Sequence, residues 1–186
     1  MAVWVREGRM RVPDDDAQWE MGLAVREELA RAGYRRYEVS NYARPGREAR
    51  HNALYWTGGE YLGLGCGASG FALDDPQDPS AGGRRWSNFR SARCYLEAIE
   101  AGVLPEESSE RLSGSDLLRE RLVMGLRMVR GVDLVEACRR FGQDPEPLLA
   151  AARELVDRGL ATLDAGTLAL TEKGLDFHSE AAMAFV

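Results

Sequence analysis

The sequence predicts a mixed α+β or α/β chain, in which the closing strands and helices of an incomplete α/β layer precede a separate, mainly helical module. Three observations carry this expectation. A helical pattern, a glycine stop and a short strand pattern follow one another between Pro13 and Ala43, which is half of a βαβ unit. Residues 50–70, RHNALYWTGGEYLGLGCGASG, gather one of the chain's two histidines, a Tyr-Trp pair and glycines on alternate positions. From Ser113 onward, three helical patterns precede a hairpin pattern, the element order of a winged helix.

Taken in order, residues 1–13 hold apolar Val3, Trp4 and Val5, but Arg6, Gly8 and Arg9 break the pattern before a helix begins. Pro13 and the acidic run Asp14 to Asp16 start a helix, because carboxylates cap free N–H groups and suit the positive dipole end. Met21, Ala24, Val25, Leu29 and Ala32 recur at helical spacing and predict a packed face that Gly33 ends. Tyr34 to Ala43 alternates as a strand, and Tyr61 to Gly65 offers another. Two or three strands with one helix do not close a parallel sheet, so the N-terminal part is expected to belong to a larger barrel or sheet whose earlier strands lie outside this chain.

Residues 74–83 form a polar loop, and Arg84 to Phe89 is a strand expected to pair back on Tyr61 to Leu73. Ser91 caps a helix with Tyr95, Leu96 and Ile99 on one face and Gly102 beyond its end. Residues 103–112 read as an acidic linker, which divides residues 1–102 from 113–186. In the second part, Ser113 or Ser115 starts a helix bearing Leu118, Leu122, Leu126 and Val129. Asp133 with Glu136 caps a second helix, and Asp144-Pro145 starts a third. Asp164-Ala165-Gly166 turns a hairpin, and Thr171 caps a last helix in which His178 is expected to face solvent.

Composition narrows the function classes. The chain has 186 residues, with 45% hydrophobic and 29% charged residues and a formal net charge of -6. That balance offers nucleic acid or an anionic membrane no global attraction. Residues 113–186 hold nine basic and twelve acidic side chains, so the winged-helix order lacks the charge by which DNA readers neutralise phosphates. No run approaches the roughly 20 apolar residues needed to span a bilayer, and the N-terminus lacks a signal-peptide block. A cytoplasmic location follows as the expectation. Cys66, Cys94 and Cys138 fit neither a disulfide framework nor a metal clamp and read as free thiols.

Gly63, Gly65 and Gly67 meet a dinucleotide fingerprint only superficially, since the required helix does not follow. They mark backbone that must approach either a neighbouring helix or a flat ligand. His51 is a structural hydrogen-bonder or an axial ligand to haem iron, with Asn52, Tyr55 and Trp56 supplying polar groups and flat apolar surface beside it.

The segments YEVSNYARPGREARHNALYWTGGEYLGLGCGASGF and RRWSNFRSARCYLEAIEAG, with the tail that follows, resemble the C-terminal half of oxygen-independent coproporphyrinogen III oxidase-like radical SAM proteins, within them the haem chaperone branch. The resemblance covers nearly the whole chain. It implies the last part of a partial (β/α) radical SAM barrel holding S-adenosylmethionine and a 4Fe-4S cluster, followed by a smaller helical domain. The family's cluster-binding CxxxCxxC loop is not in this sequence, so the chain is expected to be a fragment or a truncated gene product that binds no cluster and is inactive alone. By the same resemblance, Asn41, Tyr42 and Ala43 lie near the S-adenosylmethionine adenine, and His51 of HNxxYW is the proposed haem iron ligand. Gly63, Gly65 and Gly67 correspond to a glycine-rich strand, and Ser69 stands where many relatives have histidine. Implied partners are haem or porphyrin, the missing N-terminal barrel half and haem-accepting apoproteins. Part of a coproporphyrinogen-decarboxylating oxidase, and a DNA-binding module, are the alternatives.

Overall fold

A computed structural model describes residues 2–186. Contacts divide the chain into two compact units, one holding the chain up to Arg36 with Tyr42–Glu48, the other Tyr37–Asn41 with Ala49–Val186.

In the first unit, α1 (Ala2–Arg6) forms where no helix was expected. The acidic start predicts α2 (Asp15–Arg31) correctly: the Asp14 side chain accepts from the Ala17 N–H, and Gly33 follows the helix at φ +80°. Its apolar residues do not form a buried face. None is buried, and Met21 and Val25 are about half exposed. The expected single strand over 34–43 is interrupted at Val39 and Ser40, giving β1 (Arg35–Glu38) and β2 (Asn41–Ala43). The fully buried Glu38 side chain accepts from the Ser40 N–H at 2.8 Å, which fixes that interruption.

The second unit takes Tyr37–Asn41, with Glu38 and the interruption at Val39 and Ser40, and continues with α3 (Arg50–Trp56). Strands β3 (Ser69–Leu73), β4 (Gly83–Asn88) and β5 (Glu106–Leu112) form an antiparallel sheet in the order β3-β4-β5. Phe71 pairs with Arg85, as the sequence pattern of 84–89 leads one to expect. Two expectations are corrected. Tyr61 to Gly65 is no strand: Tyr61 makes an isolated bridge to Phe71, and the glycine-rich run is a loop. Most of the supposed linker 103–112 is β5, whose acidic residues lie against the arginines of β4: Arg84 pairs with Glu106 and Arg85 with Glu110. Cross-strand charge complementarity replaces hydrophobic alternation there, so the periodicity signal is missing. Helix α4 (Ala92–Glu100) is capped by Ser91 as expected, but Leu96 and Ile99 remain exposed.

The remainder holds α5 (Gly114–Gly125), β6 (Val132–Asp133), α6 (Leu134–Arg140), α7 (Glu146–Asp157), the hairpin β7 (Ala161–Asp164) and β8 (Thr167–Leu170), and the short helices α8 (Glu172–Asp176) and α9 (His178–Ala182). Ser113 and Asp116 close a capping box, with each side chain accepting from the other residue's N–H. Ala165 and Gly166 both take positive φ, which turns the hairpin in two residues. Leu122, Leu126, Leu134, Leu155, Leu168 and Leu175 are at most 1% exposed and form the centre of the core. The last helix is broken at Phe177, and His178 is half-buried rather than solvent-facing.

Candidate functional site

The heptapeptide RHNALYW is one helix, α3, and its spacing decides what meets. His51 and Tyr55, four residues apart, share a face. His51 is exposed; its Nε2 lies 3.0 Å from the Tyr55 hydroxyl and the rings meet edge-on, with centroids 4.9 Å apart. Tyr55 in turn meets Tyr61 at 4.6 Å, and Tyr61 meets the buried Phe71 at 6.2 Å. A ladder of rings therefore runs from the exposed imidazole into the core.

Trp56 lies on another side of α3. The Arg127 guanidinium sits 4.2 Å from its ring centre, and Arg121 Nη1 donates to its carbonyl at 3.2 Å. Its indole Nε1 is buried with no hydrogen-bond partner among the described residues. Arg127 continues the network: its Nη2 donates to Glu38 at 3.0 Å and to the Ser40 hydroxyl at 3.3 Å. Glu38 also accepts from the Asn41 amide at 2.6 Å. The buried carboxylate is thus matched by one cation and two neutral donors, the condition under which a buried charge is tolerated. His178 joins from α9, with Nε2 3.0 Å from the Val123 carbonyl. Burial pushes its pKa below the ordinary value, the Val123 bond opposes that, Arg127 adds to it and Glu38 opposes it.

Beside α3 opens a cleft of about 680 Å³, in the range of small-molecule sites. Tyr55, Tyr61, Phe71 and Phe141 give it flat apolar walls, and Arg121 and Arg140 also line it.

The structure brings His51, Asn52, Tyr55 and Trp56 together on one helix, and links Asn41 to Trp56 through Glu38 and Arg127. Tyr42 is half-buried and Ala43 buried, in the first unit. The close approach expected at the glycines is intramolecular. A Cβ at Gly63 would strike the Ser69 backbone, Gly65 and Gly67 take φ +98° and +66°, and the buried Asn88 amide donates to the Gly63 and Gly65 carbonyls at 3.1 and 3.0 Å. Sequence reasoning missed Glu38, Arg121, Arg127 and Arg140. Arg121 had a legible signal, since it follows Leu117 and Leu118 at the i+4 and i+3 positions of their buried face. Among the described residues, no three or more His, Cys, Asp or Glu side chains gather in a way that could hold a metal ion, and the three cysteines are free.

The HemN C-terminal domain family matches residues 112–177. The solved structure described as coproporphyrinogen III oxidase (HemN) from Escherichia coli, a radical SAM enzyme, superposes with a TM-score of 0.69 over 93% of this chain and 42% of that one, at 16% identity. The fold is therefore a mixed α/β arrangement matching the C-terminal part of HemN. Heme chaperone HemW of E. coli is 49% identical over 163 residues, covering 88% of this chain and 41% of the relative. Heme chaperone HemW of Mycobacterium tuberculosis is 33% identical over 170 residues, covering 91% and 40%. Bovine radical S-adenosyl methionine domain-containing protein 1, mitochondrial, is 35% identical over 183 residues, covering 92% and 39%. The chain belongs with the HemN/HemW-like radical SAM proteins, of which it matches the C-terminal half. Within that class, the similarity is to relatives named for haem chaperoning, and the chain spans less than half of their length.

Proposed function

We propose that the chain is the C-terminal portion of a haem chaperone, in which α3 holds haem through His51 for delivery to acceptor apoproteins. The observation that carries this is the exposed His51 imidazole, with one ring nitrogen engaged by the Tyr55 hydroxyl and no hydrogen bond at Nδ1 among the described residues. Such a neighbour orients a ligating ring and leaves the other nitrogen for iron. These residues fit haem. They do not fit a 4Fe-4S cluster, so cluster and S-adenosylmethionine binding are assigned to the full-length protein, with Asn41, Tyr42 and Ala43 the lining positions this chain would contribute.

The element order helix, strand, helix, helix, hairpin after Ser113 supports a winged-helix-like domain behind the end of a partial barrel, and the acidic balance of that domain speaks against DNA. A coproporphyrinogen-decarboxylating oxidase is the second reading, supported by the HemN likeness; the chaperone names borne by relatives at 33% and 49% identity favour the first. No helix among the described residues is long and apolar enough to cross a membrane, and a cytoplasmic site of action suits the free thiols. Haemin titrated into the chain should give a Soret shift that His51→Ala abolishes and Asn52→Ala retains. Equal shifts in wild type and His51→Ala would remove His51 as the ligand.

A further inference from the structure

The cleft beside α3 contains two guanidiniums with no carboxylate in direct contact, although the Arg140 charge also acts on Glu136. Its carboxylates are already engaged: Glu120 pairs with Arg85, Glu136 accepts a two-pronged contact from Arg139 at 2.7 Å, and Asp133 caps α6 through the Glu136 N–H at 2.8 Å. Arg119 lies 3.6 Å from Asp116. Arg121 and Arg140 have no carboxylate within 4.0 Å among the described residues.

Arg121 is the more constrained of the two. Its Nη1 is held on the Trp56 carbonyl at 3.2 Å, and a Cβ at Gly58 or Gly125 would press on its side chain at 3.3 or 3.0 Å. Both glycines therefore leave room for this arginine. Burial lowers its pKa, and the neighbouring Arg130 and Arg140 guanidiniums lower it further. A half-buried cation among like charges is a cost to the fold unless an anion joins it. Tyr55, Tyr61 and Phe71 line the same cleft, with the Arg85 guanidinium over the Phe71 ring at 5.9 Å, and Tyr55 is also the residue that touches His51.

We infer that Arg121 and Arg140 clasp the carboxylate side chains of a planar apolar ligand whose body lies against this aromatic wall. The inference rests on the porphyrin reading above and deepens it: the ring's acidic edge belongs to the cleft, one helix face away from the proposed iron ligand. Guanidinium and carboxylate match as fork to fork, which makes the contact selective for the acid over an ester of the same shape.

The test uses metal-free mesoporphyrin and its dimethyl ester, titrated by fluorescence into the 186-residue chain, so that iron ligation does not enter. The free acid should bind at least about tenfold tighter than the ester, with Arg140→Gln and Arg121→Gln each removing that preference and leaving ester binding unchanged. Arg140 is exposed and its variant keeps the fold; unchanged circular dichroism checks Arg121→Gln, whose bond to the Trp56 carbonyl is lost. The haemin Soret shift is read separately in His51→Ala: its loss reports iron ligation, whereas loss of the acid-over-ester preference in the arginine variants reports the clasp, so the two readings fail independently. Equal affinity for acid and ester, no binding of either, or folded arginine variants that retain the acid preference would overturn the inference.

Discussion

Two residues of the second unit report on its interior. The Glu38 carboxylate is completely buried and held by Arg127, the Ser40 N–H and Asn41. Removing it leaves a partly buried guanidinium without its counter-charge, and breaking such pairs costs about 3–5 kcal/mol. Glu38→Ala should lower the unfolding free energy read from urea melts by an amount near the low end of that range, because Arg127 retains some exposure. His178 sets a pH dependence. Its folded pKa lies below the ordinary 6.5, so the folded chain binds the proton less readily than the unfolded one. Acidification through 6.5 and below therefore draws the equilibrium toward unfolding, and the contribution is recovered as pH rises again. His178→Gln keeps a donor for the Val123 carbonyl and does not titrate. Melts at about pH 7 and about pH 5 should show a smaller acid loss in the variant than in wild type; equal losses would assign the effect to other groups.

At the scale of elements, the loop around Gly63 to Gly67 is held by two side chains, Asn88 and Tyr95. Asn88 is 4% exposed and ties two loop carbonyls, while the Tyr95 hydroxyl accepts from the Gly65 N–H at 3.2 Å. Asn88→Ala leaves two half-buried carbonyls without their donor, a loss of about 1 kcal/mol or less for each because water can replace part of it. Faster amide exchange in residues 62–68, with β7 and β8 unchanged, is the expected result. Elements with local signals were legible from sequence: the caps Asp14, Ser91, Ser113 and Asp133 and the Ala165-Gly166 turn each act within four residues. Elements decided by distant partners were not. β5 has no apolar alternation because its partners are arginines, and the Tyr61 segment has strand-like composition but spends its backbone on glycine packing. The candidate site divides in the same way: His51 and Tyr55 are read from spacing four, whereas Arg121 and Arg140 acquire meaning only from the charges already paired around them.

For the whole molecule, the division into two units predicts unequal resistance. Helix α2 has no buried residue, while the segments from α5 through α9 carry nearly all of the core. Segments with few buried apolar contacts open first. Limited trypsin digestion should cut at Arg26 or Arg31 before any site between Arg119 and Arg140, and simultaneous loss of both regions would show one cooperative unit instead.

The Glu38–Arg127 tie joins positions 89 residues apart. Synthesis runs at roughly 5–20 residues per second, so the carboxylate waits about 4–18 s on the ribosome before its cation exists. Throughout that interval the turn at Val39 and Ser40 has no anchor from Arg127, whose carbonyl later accepts the Val39 N–H at 3.0 Å. Assembly around α3 is therefore a late event in the life of each nascent chain, and slowing translation between codons 56 and 127 lengthens the period in which Trp56 stands uncovered by that guanidinium.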